Sequence, residues 1–249
     1  MNICVFDTET TGLEKPFCYN IGYIIVNSND WSEVVKREYV VEQIWHNLPL
    51  FNTAYYADKR PLYVSAMRAR KVTMEKFGYI TQQMMRDFKN YDVKYAYAYN
   101  SSFDEKVFDF NCDWFKVINP FDDVNIYDIR GFMHEFIVDD NYKKFCESHE
   151  YFTDSGNYST TAETVYRYLI FDNDFNEAHT ALNDSEIELE ILKTCVFIGA
   201  DLAVNYIAKK SIPRTTKKTL VIKSSDETLF SIECENYTVY KKTDTIKIK

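Results

Sequence analysis

Hydrophobic and polar positions along the chain follow two periods. Ile3–Phe6 is a short apolar run that ends in acids and reads as a buried strand. YNIGYIIV (Tyr19–Val26) and EVVKREYVV (Glu33–Val41) read as two more strands, which the turn residues of Asn27–Trp31 join as a hairpin. The period then lengthens. Phe77, Ile80, Met84 and Phe88 recur at helical spacing behind Thr73, which reads as the N-cap. KYAYAY (Lys94–Tyr99) alternates as a strand, a helix is expected from about Phe103, and Asn125–Ile129 is a further short strand.

Short helices are expected over Gly131–Phe136 and Asn141–Ser148, and Thr153–Tyr158 (TDSGNY) is a loop. Thr160-x-x-Glu163 has the form of a capping box before Val165, Tyr168 and Leu169, and Asp172–Asn176 breaks that helix. Asp184–Phe197 reads as an amphipathic helix, with Ile187, Ile191, Leu192 and Cys195 on one side. After Pro213 the segments are short and β-rich: Thr219–Lys223, Leu229–Cys234, Tyr237–Lys241 and Thr245–Lys249. Strands, then helix and strand in turn, then helices, predict an α/β core on a mixed β-sheet flanked by helices. The expected division is residues 1–211, with a small β appendage over 212–249.

Composition narrows the class. The 249 residues are 46% hydrophobic and 16% aromatic, with only 6 Gly and 5 Pro, which excludes a disordered or collagen-like chain. No apolar run approaches the roughly 20 residues of a membrane helix, and MNICVFDTET lacks the basic and apolar regions of a signal peptide. The cysteines at 4, 18, 112, 146, 195 and 234 form no CxxC pair, so reduced thiols in the cytoplasm are expected. The net charge of −9 argues against a passive nucleic-acid coat. It leaves room for an acidic site that holds divalent metals. Residues 201–249 run the other way, with ten Lys or Arg against six Asp or Glu.

Three short motifs carry candidate chemistry. Asp7-Thr8-Glu9 places two carboxylates on one face of a strand, where they repel unless a cation lies between them. A hard divalent ion suits such oxygen ligands, although a solvated turn would use the same residues. Asn100-Ser101-Ser102-Phe103-Asp104 can be a plain helix start or can deliver Asp104 to a site. His179-Thr180-Ala181-Leu182-Asn183-Asp184 offers a group that titrates near neutrality five residues before a helix-initial acid.

In this order, FDTETTGL (Phe6–Leu13), NSSFD and EAHTALNDSEIE (Glu177–Glu188) resemble the motifs of the DEDDh, or DnaQ-like, 3′→5′ exonucleases on the ribonuclease-H-like fold. The resemblance covers about residues 1–200. It implies Asp7, Glu9, Asp104 and Asp184 as ligands of two divalent ions, Mg²⁺ or Mn²⁺, and His179 as the catalytic base. Asp7 would bridge both ions, Glu9 and Asp184 would bind the water-activating one, and Asp104 would serve the other. It further implies that Thr10 bonds the 3′-hydroxyl and Leu13 packs on the terminal base, whose alternatives are a turn threonine and a core leucine. Tyr55, Tyr56 and Tyr63 could stack on bases, but packing is the better expectation for each. Asn20 stands where many relatives have an acid, and the stretch 42–72 has no counterpart. The overall look is similar to exonucleases of tailed phages.

The function implied is a free-standing enzyme that hydrolyses single-stranded or frayed DNA from the 3′ end to nucleoside 5′-monophosphates. One alternative is an RNA exonuclease of the oligoribonuclease kind. Another is a proofreading subunit that docks on a polymerase through the basic tail, although solvated lysines explain that tail as simply.

Overall fold

A computed structural model describes residues 1–214 and the backbone of two strands, Lys218–Ser224 and Glu227–Cys234. The chain divides into two compact units. One comprises Met1–Tyr151 and Thr160–Lys210, and the other comprises Phe152–Ser159 and the chain from Ser211.

The first unit is built on six strands: β1 (Asn2–Thr10), β2 (Cys18–Asn27), β3 (Glu33–Val41), β4 (Thr73–Glu75), β5 (Tyr95–Ala98) and β6 (Asn125–Asp128). They lie in the order β4-β3-β2-β1-β5-β6. β1 and β2 pair antiparallel, as do β2 and β3, whereas β1 runs parallel to β5 and β5 to β6. This is the mixed sheet flanked by helices that the element order predicts. The helices are α1 (Glu42–Trp45), α2 (Leu48–Phe51), α3 (Arg60–Arg68), α4 (Phe77–Asn90), α5 (Ser101–Phe115), α6 (Ile129–Phe136), α7 (Asp140–Ser148), α8 (Ala162–Ile170) and α9 (Ala181–Ile198). A 3₁₀ turn spans Ala57–Lys59.

Strand alternation divides β1 between two layers. Cys4 and Phe6 join Phe77, Ile80, Met84 and Phe88 of α4 and Val107 and Phe108 of α5 in the main core. Phe6 there meets Phe108 edge-on and lies tilted against Phe121. The opposite face of the sheet receives α9. A Cβ on Gly22 of β2 would come within 2.2 Å of the Leu182 nitrogen, so the start of α9 rests on backbone that no side chain shields. Only glycine permits that approach.

Several local expectations are corrected. Thr73 does not cap a helix: Thr73–Glu75 forms β4, parallel to β3, and α4 begins at Phe77. The cap of α8 is Thr161 rather than Thr160, through a bond from the Thr164 N–H to Thr161 Oγ1. Glu163 instead accepts from Arg167 and from the Glu177 N–H. The helix expected from Asp184 begins at Ala181, with Thr180 as its cap.

The second unit contains an antiparallel pair, β7 (Lys218–Ser224) with β8 (Glu227–Cys234), and a bridge between Phe152 and Tyr158. The strands expected at Tyr237–Lys241 and Thr245–Lys249 lie outside the described residues. Among the described residues no helix is long and apolar enough to cross a membrane, and the five cysteines at 4, 18, 112, 146 and 195 are buried free thiols.

Candidate active site

The C-terminal end of β1 gathers acids from three elements. Asp7 and Glu9 share the face of β1 that α9 covers, and Asp184 sits in the first turn of α9. One carboxylate oxygen from each of Asp7, Glu9 and Asp184 lies within 4.8 Å of the other two. A second group within the same limit joins Asp184 to Glu177 and His179. Asp104 belongs to neither group. It is 2% exposed in the first turn of α5, and its Oδ1 accepts from Thr8 Oγ1 at 2.6 Å. Thr8, between the two acids of β1, points to the α5 side and ties that helix to the strand.

Local chemistry explains why these elements meet. β5 runs parallel to β1, so the chain leaves β5 at the edge of the sheet where Asp7 and Glu9 emerge. It turns through Asn100, whose φ of 63° is left-handed and whose N–H donates to Asp128 Oδ1 at 2.9 Å. On the other face, the buried Asn20 of β2 fixes α9. Its Oδ1 accepts from the Ala181 N–H at 2.8 Å and from the Tyr63 hydroxyl at 2.9 Å, and its Nδ2 donates to the Tyr39 carbonyl.

The site is strongly short of positive charge. Burial and then its neighbours Asp104, Glu188, Asp184 and Glu9 hold the Asp7 carboxyl well above the usual carboxylate range. Burial followed by the charge of Glu177 pushes Glu9 to about 8 and Asp184 to about 9. Burial raises Asp104 to about 7 against the opposing Thr8 hydrogen bond. Asp184 Oδ1 is buried and has no hydrogen-bond partner. Clustered oxygens, mutual repulsion and an orphaned carboxylate oxygen are what a hard divalent cation would satisfy. The donor set therefore fits such an ion.

His179 stands beside this cluster in the irregular stretch between α8 and α9, with a left-handed φ of 53°. Its Nδ1 lies 3.5 Å from Glu177 Oε2, and its ring stacks on Tyr56 with centroids 4.2 Å apart. Burial pushes its pKa down.

The other sequence candidates separate. Leu13 is 73% exposed and is not a core leucine; its carbonyl accepts from Lys106 Nζ at 2.8 Å. Thr10 donates to the Gly12 carbonyl at 3.2 Å within the turn after β1. Tyr63 is buried packing, whereas Tyr55 is exposed. One acid went unremarked in the sequence: Glu188 is fully buried and accepts from the Tyr99 N–H at 3.2 Å. Its charge bears on Asp7. The visible signal is its spacing of four from Asp184 on an otherwise apolar helix face.

No protein-family model matches the chain, and no curated protein does. Solved structures do resemble it. A 3′-exonuclease in 3′-end-specific recognition of a histone mRNA stem-loop superposes with a TM-score of 0.54 at 14% identity, over 81% of this chain and 84% of that one. A full-length 3′-exonuclease gives 0.51 at 13% identity, over 81% and 62%. E. coli exonuclease I with a 5cy-dT13 oligonucleotide gives 0.50 at 14% identity. The chain has the ribonuclease-H-like fold of the 3′-exonucleases. It covers 78% of its own length in the last match but only 40% of exonuclease I. At such identities the likeness establishes the fold, and the chemistry must be argued from the site.

Proposed function

We propose that the chain is a metal-dependent 3′→5′ exonuclease that releases nucleoside 5′-monophosphates from single-stranded or frayed DNA. The observation that carries this is the meeting of Asp7, Glu9 and Asp184 at the end of β1, with His179 beside them, on a fold shared with 3′-exonucleases. Asp7, Glu9 and Asp184 would hold divalent cations, Mg²⁺ or Mn²⁺, with Asp104 as the fourth carboxylate of a two-ion site. When bound, two such ions activate water and stabilise charge on the leaving oxygen.

The chain's own residues supply the rest. In the neutral tautomer that places its Nδ1–H toward Glu177, His179 would present Nε2 as the acceptor for a proton of the attacking water. Burial shifts its pKa down, which favours the neutral imidazole. A water oxygen then bonds to phosphorus, the bond to the 3′-oxygen breaks, and that oxygen takes up a proton from solvent. Leu13, exposed in the stretch after β1, would offer an apolar surface to the terminal base, and Thr10 would offer its hydroxyl oxygen to the 3′-end.

The test uses matched 5′-labelled single-stranded DNA and RNA oligomers with Mg²⁺, with Mn²⁺ and with EDTA, beside Asp7→Ala. Stepwise 3′ shortening that EDTA and Asp7→Ala abolish is expected, faster on DNA. Faster shortening of RNA would move the substrate to RNA and keep the chemistry. No shortening of either oligomer would overturn the proposal.

A further inference from the structure

The stretch between β3 and β4 supplies none of the clustered carboxylates, yet it reaches the site. Thr53 Oγ1 lies 3.3 Å from the Thr11 carbonyl, in the turn that follows Glu9. Three residues later the ring of Tyr56 lies almost flat on the imidazole of His179, with 13° between the planes and 4.2 Å between centroids. The 3₁₀ turn continues to Lys59, whose positive charge bears on both Glu9 and His179. This segment is therefore a wall of the acidic site and not a remote insertion.

His179 needs that wall. It lies outside any helix or strand, on a backbone with a left-handed φ of 53°. Such a conformation is unfavourable for a residue with a side chain and persists where its surroundings impose it. The polar contact of its ring to Glu177 is 3.5 Å, longer than a strong hydrogen bond. One long contact at one ring nitrogen leaves the imidazole free to swing about its Cβ–Cγ bond. A flat ring on its face removes that freedom. The neighbouring tyrosines do not serve: Tyr55 is 88% exposed and meets Tyr56 edge-on, and Tyr63 is buried against Asn20.

We propose that Tyr56 is a positioning residue for His179, holding the imidazole by face-to-face stacking in the orientation needed to accept the water proton. This rests on the role of His179 given above. It assigns the effect to the aromatic ring and not to the phenol hydroxyl, because the contact is between ring faces.

The wild type is assayed first for metal-dependent 3′ shortening. Tyr56→Ala and Tyr56→Leu are then expected to lower kcat about 10- to 100-fold with KM within about twofold, as misorientation of a proton acceptor does. Tyr56→Phe should stay within about twofold of wild type on both. In parallel, the ring-current shift of the His179 imidazole protons should be lost in the Ala and Leu variants and kept in Phe. Tyr56→Leu carries the test if the Ala variant does not fold. Wild-type kcat in both Ala and Leu variants, a rise in KM alone, or a Phe variant as slow as Leu would each overturn the proposal. A wild type that shortens neither DNA nor RNA would instead overturn the exonuclease function, and the ring-current comparison would still report whether the stack exists.

Discussion

Two buried carboxylate groups lie on opposite faces of the same sheet and are treated in opposite ways. Asp87, in α4, is surrounded by donors. Its Oδ2 accepts from the Tyr23 hydroxyl and from Arg37 Nε, both at 2.7 Å, and its Oδ1 accepts from Gln83 Nε2 at 2.9 Å. Asp184, in α9, faces Asp7 and Glu9, and its Oδ1 has no partner at all. This chain can therefore neutralise a buried acid where an acid serves architecture. Where it gathers three acids with no protein donor for Asp184 Oδ1, repulsion and desolvation disfavour the folded protein, which marks the cluster as functional and not architectural.

The contrast breaks most visibly in activity. Asp7→Asn keeps the shape of the side chain and removes its charge, and should lower single-turnover cleavage more than 1,000-fold, roughly 4 kcal/mol of transition-state stabilisation. The same change should leave thermal stability in EDTA unchanged or raised, because it relieves repulsion. A large loss of stability would make Asp7 an architectural acid like Asp87. The mirror experiment is Asp87→Ala. It strands the Tyr23 hydroxyl and Arg37 and should cost about 2–3 kcal/mol in urea unfolding, less than a fully buried pair because Arg37 is partly solvated. Cleavage per folded molecule should be unchanged.

The sequence made one side of this contrast readable and hid the other. A strand's period of two puts Asp7 and Glu9 on one face, and the resemblance of FDTETTGL to the first DEDDh motif is what marks them as more than a solvated turn. Asp104 and Asp184 stand in the first turns of α5 and α9, where a plain helix start explains either one, and only their place in the ordered motifs that resemble the DEDDh exonucleases singles them out. Asp87 gives no such sign, since its partners come from β2, β3 and its own helix, and only the folded sheet assembles them. The same non-local logic hid β4, where Thr73 exchanges a capping role for pairing beside β3. It also hid the short helices of residues 42–68. They have too few turns for periodicity to show, and they are held by packing among Trp45, Phe51 and Tyr63, with the Arg60 guanidinium 3.8 Å from the Trp45 ring centroid. Glu188 was hidden for the opposite reason: one acid on an apolar helix face reads as noise until Asp7 and Asp104 lie beside it.

Metal addition should sharpen the comparison on the α9 side alone. Glu9, at about 8, and Asp184, at about 9, keep their protons in the folded chain far above the unfolded values of 4.5 and 3.8. Between about pH 4 and 9 the folded state therefore binds more protons than the unfolded one. Stability in EDTA should fall as pH rises through that window. Mn²⁺ binds the ionised form, so its stabilisation should grow with pH and reach about 2.7 kcal/mol at a hundredfold excess over Kd. Asp184→Asn should largely abolish the Mn²⁺ shift, whereas Asp87→Ala should keep it. Thermal melts at pH 5.5 and 8 decide this, and a Mn²⁺ shift that survives Asp184→Asn would place the ion elsewhere.

Asp104 is the intermediate case, and it yields the smallest effect. It is as buried as Asp87, yet the side-chain bond it receives comes from one hydroxyl, that of Thr8, beside backbone N–H bonds from Thr8 and from Asp104 itself. Thr8→Val removes that hydroxyl at nearly constant volume. A hydrogen bond to a charged carboxylate contributes about 1.5 kcal/mol or more, so the variant should be destabilised by about that much. Freed of its tether, Asp104 should also turn away from the end of β1, lowering kcat about 10-fold while Mn²⁺ still stabilises the chain through Asp7, Glu9 and Asp184. If Thr8→Val costs stability and leaves kcat untouched, Asp104 behaves as Asp87 does and belongs to the architecture. If kcat falls with it, the hydroxyl between the two acids of β1 is what lets one buried carboxylate serve both the fold and the site.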